Sequence, residues 1–149
     1  MTSIAIRPLP APLRPPDDAS TSRTIVVDEP DAYPCRRCLE DALPGERVLL
    51  LSYDPFTGDS PYRQPGPIFV HERACAPSGD DAVPTQLTRR LLSLRSFDDD
   101  HLMRGGEVVD GSLLVDRATE LLADPGVAYL HVHNAGPGCF AARIDRDVN

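Results

Sequence analysis

The sequence predicts an α+β fold, in which a single domain packs a mostly antiparallel sheet against two or three helices and closes with a C-terminal β-hairpin. Short apolar runs rich in β-branched residues recur along the chain and are typical of strands. Amphipathic stretches of helical period are few and short. Strand-like and helix-like stretches mix without the regular βαβ alternation of a parallel sheet, which favours the antiparallel arrangement.

The strands are predicted from continuous or alternating apolar runs bounded by turn residues. "RVLLLSY" is apolar almost throughout and is therefore expected at the centre of the sheet. The complete set of predicted strands is Ser22–Glu29, Arg47–Tyr53, Ile68–Glu72, Leu91–Phe97, Glu107–Gly111, Val127–His133 and Cys139–Asp145. For Leu91–Phe97 the alternative is a continuation of the helix that begins at Pro84.

Helices are predicted from start and stop signals. "CRRCLEDALPGE" suits a short helix that ends before Pro44, and Pro84 starts another over "PTQLTRR". Asp98 caps a short helix in "DDDHLMR", after which Gly105-Gly106 breaks the chain. Ser112 caps "LLVDRATELLAD", whose apolar stripe consists of Leu114, Ala118, Leu121 and Leu122. "DPFTGDSPYRQPGP" and "APSGDDAV" are predicted loops.

Size and charge limit the organisation and the partners. A chain of 149 residues is expected to form one domain, which we assign to 22–149. Residues 1–21 contain "RPLPAPLRPP" and are expected to form an extended proline-rich N-terminal arm. The net charge of −8 argues against nucleic-acid partners and against anionic membrane surfaces. A small-molecule ligand is the expected partner, and the pattern specifies neither a cofactor nor an oligomeric state.

The cysteines are interpreted from the expected compartment. The N-terminus lacks the apolar core of a secretion signal, and no run approaches the roughly 20 apolar residues of a membrane span. We therefore expect a cytoplasmic protein. There, four cysteines are expected to serve as thiols, metal ligands or nucleophiles rather than as disulfides.

The C-terminal hairpin carries the first candidate site. A five-residue loop over 134–138 sets His133 opposite Cys139 and Val132 opposite Phe140. Side chains alternate along a strand, so one face is apolar and is predicted to be core: Leu130, Val132, Phe140, Ala142 and Ile144. The other face is predicted to line a pocket; the alternatives are an ordinary solvent-exposed face and half-buried polar groups that are satisfied within the fold. It consists of Tyr129, His131, His133, Cys139 and Arg143.

Two chemistries suit this second face. Opposed strand positions bring Cβ atoms to about 5 Å, which allows an imidazole to stabilise a reactive thiolate. Cys139 is then the nucleophile and His133 or His131 the general base. Alternatively, the His-x-His pair chelates a metal with Cys139 as a third ligand.

"YPCRRC" carries the second candidate site. Cys35 lies at a predicted helix start beside two arginines, and both features lower a thiol pKa, so Cys35 is an alternative nucleophile. The C-x-x-C spacing also favours redox cycling or metal binding. With His71 and Cys75 from "HERAC", Cys35 and Cys38 complete an alternative Cys3His set for zinc or iron.

Polar and cationic side chains are candidates for holding an anionic substrate. Planar guanidinium groups clamp carboxylates and phosphates, although each arginine of an acidic protein is as readily explained by a surface ion pair. The predicted substrate-binding residues are Arg36, Arg95, Asn134, Tyr129 and Arg143.

Four blocks resemble a bacterial family called domain of unknown function 1203. They are "PCRRCLEDALPGERVLLLSYDPF", "SPYRQPGPIFVHE", "LLSLRSFD" and "VAYLHVHNAGPGCFAARIDR", and the similarity covers about three-quarters of the chain. The resemblance implies no activity. It also implies a hydroxyl residue where Cys38 stands and an arginine where His71 stands, so a Cys3His site would belong to one branch of the family or be absent.

Three functions remain open from the sequence. The first is a small-molecule-binding protein, in one form a Cys/His-dependent enzyme acting on a small anionic substrate. The second is a metal protein with Cys and His ligands. The third is a non-enzymatic regulatory or protein-interaction module.

Overall fold

Two antiparallel sheets account for most of the secondary structure in the computed structural model, which describes residues 3–9, 22–78 and 83–147. The strands are β1 (Ile4–Arg7), β2 (Arg23–Val26), β3 (Arg47–Tyr53), β4 (Gly66–His71), β5 (Leu91–Phe97), β6 (Met103–Asp110), β7 (Tyr129–Asn134) and β8 (Phe140–Arg146). The helices are α1 (Thr85–Thr88) and α2 (Leu114–Leu122), and a 3₁₀ turn, Gly111–Leu113, leads into α2.

The larger sheet has five strands in the order β1-β8-β7-β5-β6, and every neighbouring pair is antiparallel. One of its faces packs against α2 through the buried side chains Leu114, Ala118 and Leu122. This is the predicted stripe, and Leu121 lies at its partly buried edge. The mostly antiparallel sheet and the closing hairpin are therefore confirmed.

The smaller sheet has the order β2-β3-β4, with the apolar strand β3 at its centre as its composition predicted. It covers the second face of the larger sheet. Leu51 and Ile68 of the small sheet share a buried cluster with Phe140 of the large one. The fold thus has helix, sheet and sheet as successive layers, and the predicted hairpin face lies between the two sheets.

Two predicted helices are absent from the described residues. The two that remain are short, so less helix covers the sheet than the two or three expected helices would supply. The stretch after Pro34 is a tight turn held by an antiparallel bridge from Pro34 to Asp41 and a parallel bridge from Cys35 to Phe69. Leu39 has a φ of 58°, which a helix does not allow.

The second missing helix was predicted to start at Asp98. Instead, the Asp98 carboxylate accepts the backbone N–H groups of Asp100 and Leu102 and closes a turn between β5 and β6. β6 then runs straight through Gly105-Gly106, which was predicted to break the chain. Asp110, rather than Ser112, accepts the N–H at the start of the turn into α2.

The N-terminal segment contributes to the sheet. β1 pairs with β8, with Ile4 opposite Arg146 and Ile6 opposite Ile144, so the first part of the predicted arm is an edge strand. Residues 10–21, which hold most of the proline-rich stretch, lie outside the described residues, as do residues 79–82 of a predicted loop. The domain boundary at 22 stays a prediction. Within the described ranges, no helix has the length and apolar character needed to cross a membrane.

Candidate functional site

The hairpin turn differs from its predicted register by one residue. Gly138 adopts a left-handed φ of 82° and donates its N–H to the Asn134 carbonyl at 2.8 Å, while Asn134 donates to the Cys139 carbonyl. His133 therefore pairs with Phe140 rather than with Cys139. An irregularity between Val132 and His133 then makes Ala141 an extra residue, so that Val132 pairs with Ala142.

This shift moves Phe140 to the face that carries the histidines. Its ring centroid lies 5.2 Å from that of His131 and 5.8 Å from that of His133. The prediction that Phe140 belongs to the face of Val132 was therefore wrong, because a bulge reverses the alternation on which it depended. Tyr129, His131, His133 and Arg143 do share one face: the rings are in contact, and the Arg143 guanidinium lies 4.1 Å from the Tyr129 centroid.

His131 lies at the centre of this face and is completely buried. Phe56, Phe97, Tyr129 and Phe140 surround it, with ring centroids 4.9–5.2 Å from its own. Neither ring nitrogen has a hydrogen-bond partner among the described residues. Burial, followed by the positive charge of His133, lowers the pKa of His131 to about 3, so its imidazole is neutral near pH 7.

A cavity of about 220 Å³ opens between the sheets beside this ring. His131, His133 and Cys139 line it from the large sheet, and Tyr53 and Phe56 line it from β3 and the loop that follows. The second face is thus covered by the small sheet, and the solvent-exposed alternative is wrong for His131.

His133 is held at both ends. Its Nδ1 lies 2.9 Å from the Gly138 carbonyl, and its Nε2 lies 3.5 Å from Nη1 of Arg95. Burial lowers the pKa of His133 to about 4, and the charge of Arg95 acts in the same direction. Arg95 lines the cavity and has no ion pair within the described part of the chain.

Cys139 contacts an arginine and an amide rather than a histidine. The buried Arg36 donates from Nη2 to Cys139 Sγ at 3.0 Å, and Asn134 donates from Nδ2 at 3.5 Å. The other bonds of the guanidinium go to the carbonyls of Phe140 at 2.8 Å and Pro34 at 2.6 Å. Burial lowers the pKa of Arg36, which identifies this guanidinium as a costly charge to place here.

The remaining predicted substrate-binding residues are engaged within the fold. The Tyr129 hydroxyl lies 2.7 Å from Nδ1 of His101, and burial raises the pKa of Tyr129. Arg143 pairs with Asp145 at 2.9 Å. Neither side chain is part of the cavity lining, whereas Arg95 is.

A second cluster brings together Cys35, Cys38, His71 and Cys75, the alternative metal set of the sequence. The three sulfurs and one imidazole nitrogen all lie within 4.8 Å of one another. Cys35 Sγ is 3.8 Å from Cys75 Sγ, and Cys38 Sγ is 3.6 Å from Nδ1 of His71. Among the described residues this is the one such group, so His131, His133 and Cys139 do not form the alternative metal site.

The turn around Cys35 aims backbone donors at its sulfur. The N–H of His71 lies 3.4 Å from Cys35 Sγ, and the N–H groups of Arg37 and Cys38 also act on it. The hydrogen bond from the Cys38 thiol is the largest influence, and together they lower the pKa of Cys35 to about 4. The same contact raises the pKa of Cys38, and burial raises that of Cys75.

Glu46 completes the surroundings of this cluster. Its Oε1 lies 3.2 Å from Nε2 of His71, and its Oε2 accepts Nε of Arg73 at 2.9 Å. Leu43 also donates its N–H to the carboxylate. These contacts orient the His71 ring so that Nδ1 faces the three sulfurs.

Comparison with protein-family models gives one match, described as "Protein of unknown function (DUF1203)", over residues 32–146. The chain belongs to this family. The resemblance noted in the sequence is thereby confirmed, and both clusters lie within the matched region of the DUF1203 chain. Comparisons with curated proteins and with solved structures gave no match.

Sequence reasoning missed two residues of these clusters, Glu46 and Phe56. Glu46 follows Pro-Gly and gives no sign that it contacts a histidine 25 residues later. Phe56 lies in a stretch predicted only as loop, yet its ring meets His131 edge-on. An aromatic residue inside a proline-rich loop was the available signal, since exposed loops rarely use phenylalanine.

Proposed function

We propose that this protein binds one zinc ion through Cys35, Cys38, His71 and Cys75. The spacing of the donor atoms carries the proposal. Zinc bonds of about 2.3 Å to sulfur and about 2.0–2.1 Å to nitrogen, in a tetrahedron, separate two sulfurs by about 3.8 Å and a sulfur from a nitrogen by about 3.6 Å. Two of the six donor pairs have these separations, 3.8 Å between Cys35 and Cys75 and 3.6 Å between Cys38 and His71, and all pairs lie within 4.8 Å.

The surroundings support a metal centre. A ligating histidine usually gives its second nitrogen to a carboxylate, which fixes the tautomer and strengthens the ligand. Glu46 is placed to do this for His71. Zinc requires thiolates, and the backbone donors around Cys35 already favour that form.

The ligand set favours zinc over iron. Three thiolates and one imidazole are a common structural zinc set, whereas iron–sulfur clusters are usually held by four cysteines. Cys35 and His71 are almost completely buried, and four protein donors leave no position open. The ion would therefore act structurally, joining the Cys35–Cys38 turn, the end of β4 and the segment at Cys75.

Elemental analysis tests the proposal. The full chain, expressed in zinc-supplemented medium and purified without chelator, is expected to carry about one equivalent of zinc. Cys38→Ser and Cys75→Ser should each lose most of it. Cys139→Ser is the matched control, since it removes a free cysteine outside the cluster, and its zinc content should not change.

Two results would overturn the zinc assignment. One is wild-type protein with less than about a tenth of an equivalent of metal and no thiolate-to-cobalt absorption after reconstitution with Co²⁺. The other is a Cys35–Cys75 disulfide in the intact mass of protein handled without reductant, which would indicate thiol redox chemistry instead. All four cysteines are free in the structure, which suits zinc and the expected cytoplasmic location.

A second candidate function is the binding of a small molecule in the His131 cavity, with Cys139 and His133 as the groups able to perform chemistry there. The unpartnered, fully buried ring of His131 favours it. Buried polar atoms in folded proteins are nearly always paired, so an exception beside a cavity points to a ligand. Solution NMR of the histidine imidazoles with added ligand, described below, tests this function.

A further inference from the structure

The His131 cavity has a shape suited to a flat ligand. The rings of Phe56, Phe97 and Phe140 form its walls around His131, and Tyr53 and Tyr62 also line it. Aromatic walls pack best against planar unsaturated groups, by stacked or edge-to-face contact. At about 220 Å³ the space is below the roughly 300 Å³ of drug-sized sites, so the ligand would be about the size of one substituted ring.

The polar groups of the cavity specify the rest of the ligand. The neutral His131 imidazole offers one N–H donor and one acceptor nitrogen, and both are unused within the described ranges. Burying such a group without a partner is unfavourable. Both nitrogens have almost no accessible surface, so a ligand would reach one of them only after a small movement of the ring; a hydrogen bond there would then recover part of this cost.

The charge of the cavity is positive. Within the described residues, the Arg95 guanidinium has two polar neighbours, Ser93 Oγ at 3.4 Å and His133 Nε2 at 3.5 Å, and forms no ion pair. The Asp54 carboxylate, whose charge acts to raise the pKa of His131, is already paired with Arg63. A guanidinium without a carboxylate at the wall of a partly enclosed cavity favours an anionic group on the ligand.

We propose that the cavity between the two sheets binds small planar carboxylates, with the carboxylate on Arg95 and the flat body between the aromatic walls beside His131. The proposal rests on the second candidate function and names its ligand class. None of the four zinc-site residues lines this cavity, so ligand binding and zinc content are tested by separate measurements.

The probes are benzoate and nicotinate, added to the full zinc-loaded chain while the ring resonances of His131 and His133 are followed by NMR. Benzamide keeps the flat ring without the charge, and cyclohexanecarboxylate keeps the charge without the flat ring. We expect both planar carboxylates to shift the His131 resonances in a saturable manner. We expect the two control molecules to bind at least about tenfold more weakly, a difference of about 1.4 kcal/mol.

Two variants test whether Arg95 recognises the negative charge of the ligand. Arg95→Gln should weaken benzoate binding about tenfold and leave benzamide unchanged. Arg104→Gln, which removes an exposed arginine outside the cavity, is the matched control and should bind like the wild type. If Arg95→Gln does not fold, the comparison of benzoate with benzamide on the wild-type protein still decides the ligand class.

The outcomes separate the two levels of inference. Equal binding of benzoate and benzamide, or no effect of a folded Arg95→Gln variant, would overturn the carboxylate class while leaving a small-molecule site. A complete absence of shifts at His131 with every probe at tens of millimolar would overturn the carboxylate class and the second candidate function together. Neither result would bear on the zinc content.

Discussion

Replacing His131 with phenylalanine is expected to stabilise the protein in the absence of ligand. The wild-type ring buries one donor and one acceptor without partners in the described chain, at about 1–3 kcal/mol for each. Phenylalanine removes both, and the adjacent cavity of about 220 Å³ accepts its extra volume. The cost of repacking the neighbouring rings around phenylalanine would offset about 1 kcal/mol or less of this stabilisation.

The net gain should be about 2 kcal/mol in the free energy of unfolding. For a chain of this size, that corresponds to an increase of about 4–8 °C in Tm. Urea denaturation followed by circular dichroism measures it, as a higher midpoint with an unchanged slope. His133→Phe is the matched control on the same strand: its ring is already bonded to the Gly138 carbonyl, so this change should bring no gain.

The same variant must also lose its ligand. His131→Phe should no longer bind benzoate with wild-type affinity, so greater stability and weaker binding are expected together. A folded His131→Phe variant that is less stable than wild type would refute the reasoning, because it would mean that the ring nitrogens already have satisfactory partners in the free protein.

Three further predictions concern pH, metal and packing. The pKa of His131 is depressed to about 3 in the folded state, from an unfolded value near 6.5, so the unfolded state takes up the proton first as the pH falls. This group should therefore lower the free energy of unfolding by about 2 kcal/mol between about pH 7 and pH 5. Urea denaturation at both pH values measures this loss, and His131→Phe should abolish it. Chelation of zinc that is present at about a thousand times its Kd should remove about 4 kcal/mol and lower Tm by about 8–16 °C, whereas no shift on removing bound metal would contradict a structural role. Gly111→Ala should cost about 3 kcal/mol or more, since its Cβ would lie 2.1 Å from the Leu87 carbonyl oxygen; Gly136→Ala, with open space around it, should be neutral, and equal Tm values for the two variants would contradict the packing described.

The strands could be predicted from the sequence because their signals are local. Arg47–Tyr53 and Leu91–Phe97 have the same bounds in the structure as in the prediction. Each is an apolar run between polar turns, and such a run forms a buried strand whichever strands pair with it in the sheet. The α2 stripe was predictable for the same reason, since it depends only on the helical period.

The hairpin register was not predictable, because it depends on one backbone angle. A left-handed Gly138 and an extra residue at Ala141 shift the pairing, and a shift of one residue moves a side chain to the other face. That is how Phe140 came to line the cavity while Cys139 turned to Arg36. The burial of His131 was also not predictable, since the small sheet that packs over it is distant from it in sequence.

The turn at Cys35 failed as a helix for a reason that concerns function. "CRRCLED" has ordinary helical propensity, but the backbone instead bridges to Phe69 and directs three N–H groups at one sulfur. A helix starting at Cys35 would also leave the N–H groups of Arg37 and Cys38 free, but the third donor, the N–H of His71, belongs to β4 and lies at the sulfur where Cys35 bridges to Phe69. Local preference was overridden where a thiolate is stabilised, which is the expected pattern at a site that binds a ligand.

The two sites are connected through this turn, because Cys35 belongs to the zinc cluster while its neighbour Arg36 donates to Cys139, which lines the cavity. A buried guanidinium whose partners are two carbonyls and one thiol is costly to place, so it needs a rigid backbone to hold it. The bridges to Phe69 and Asp41 supply part of that rigidity, and a zinc ion on Cys35 and Cys38 would supply the rest on both sides of Arg36. Zinc at the Cys35–Cys38–His71–Cys75 cluster would therefore hold the Arg36 guanidinium in place, and Arg36 in turn positions Cys139 and the Phe140 carbonyl beside the His131 cavity.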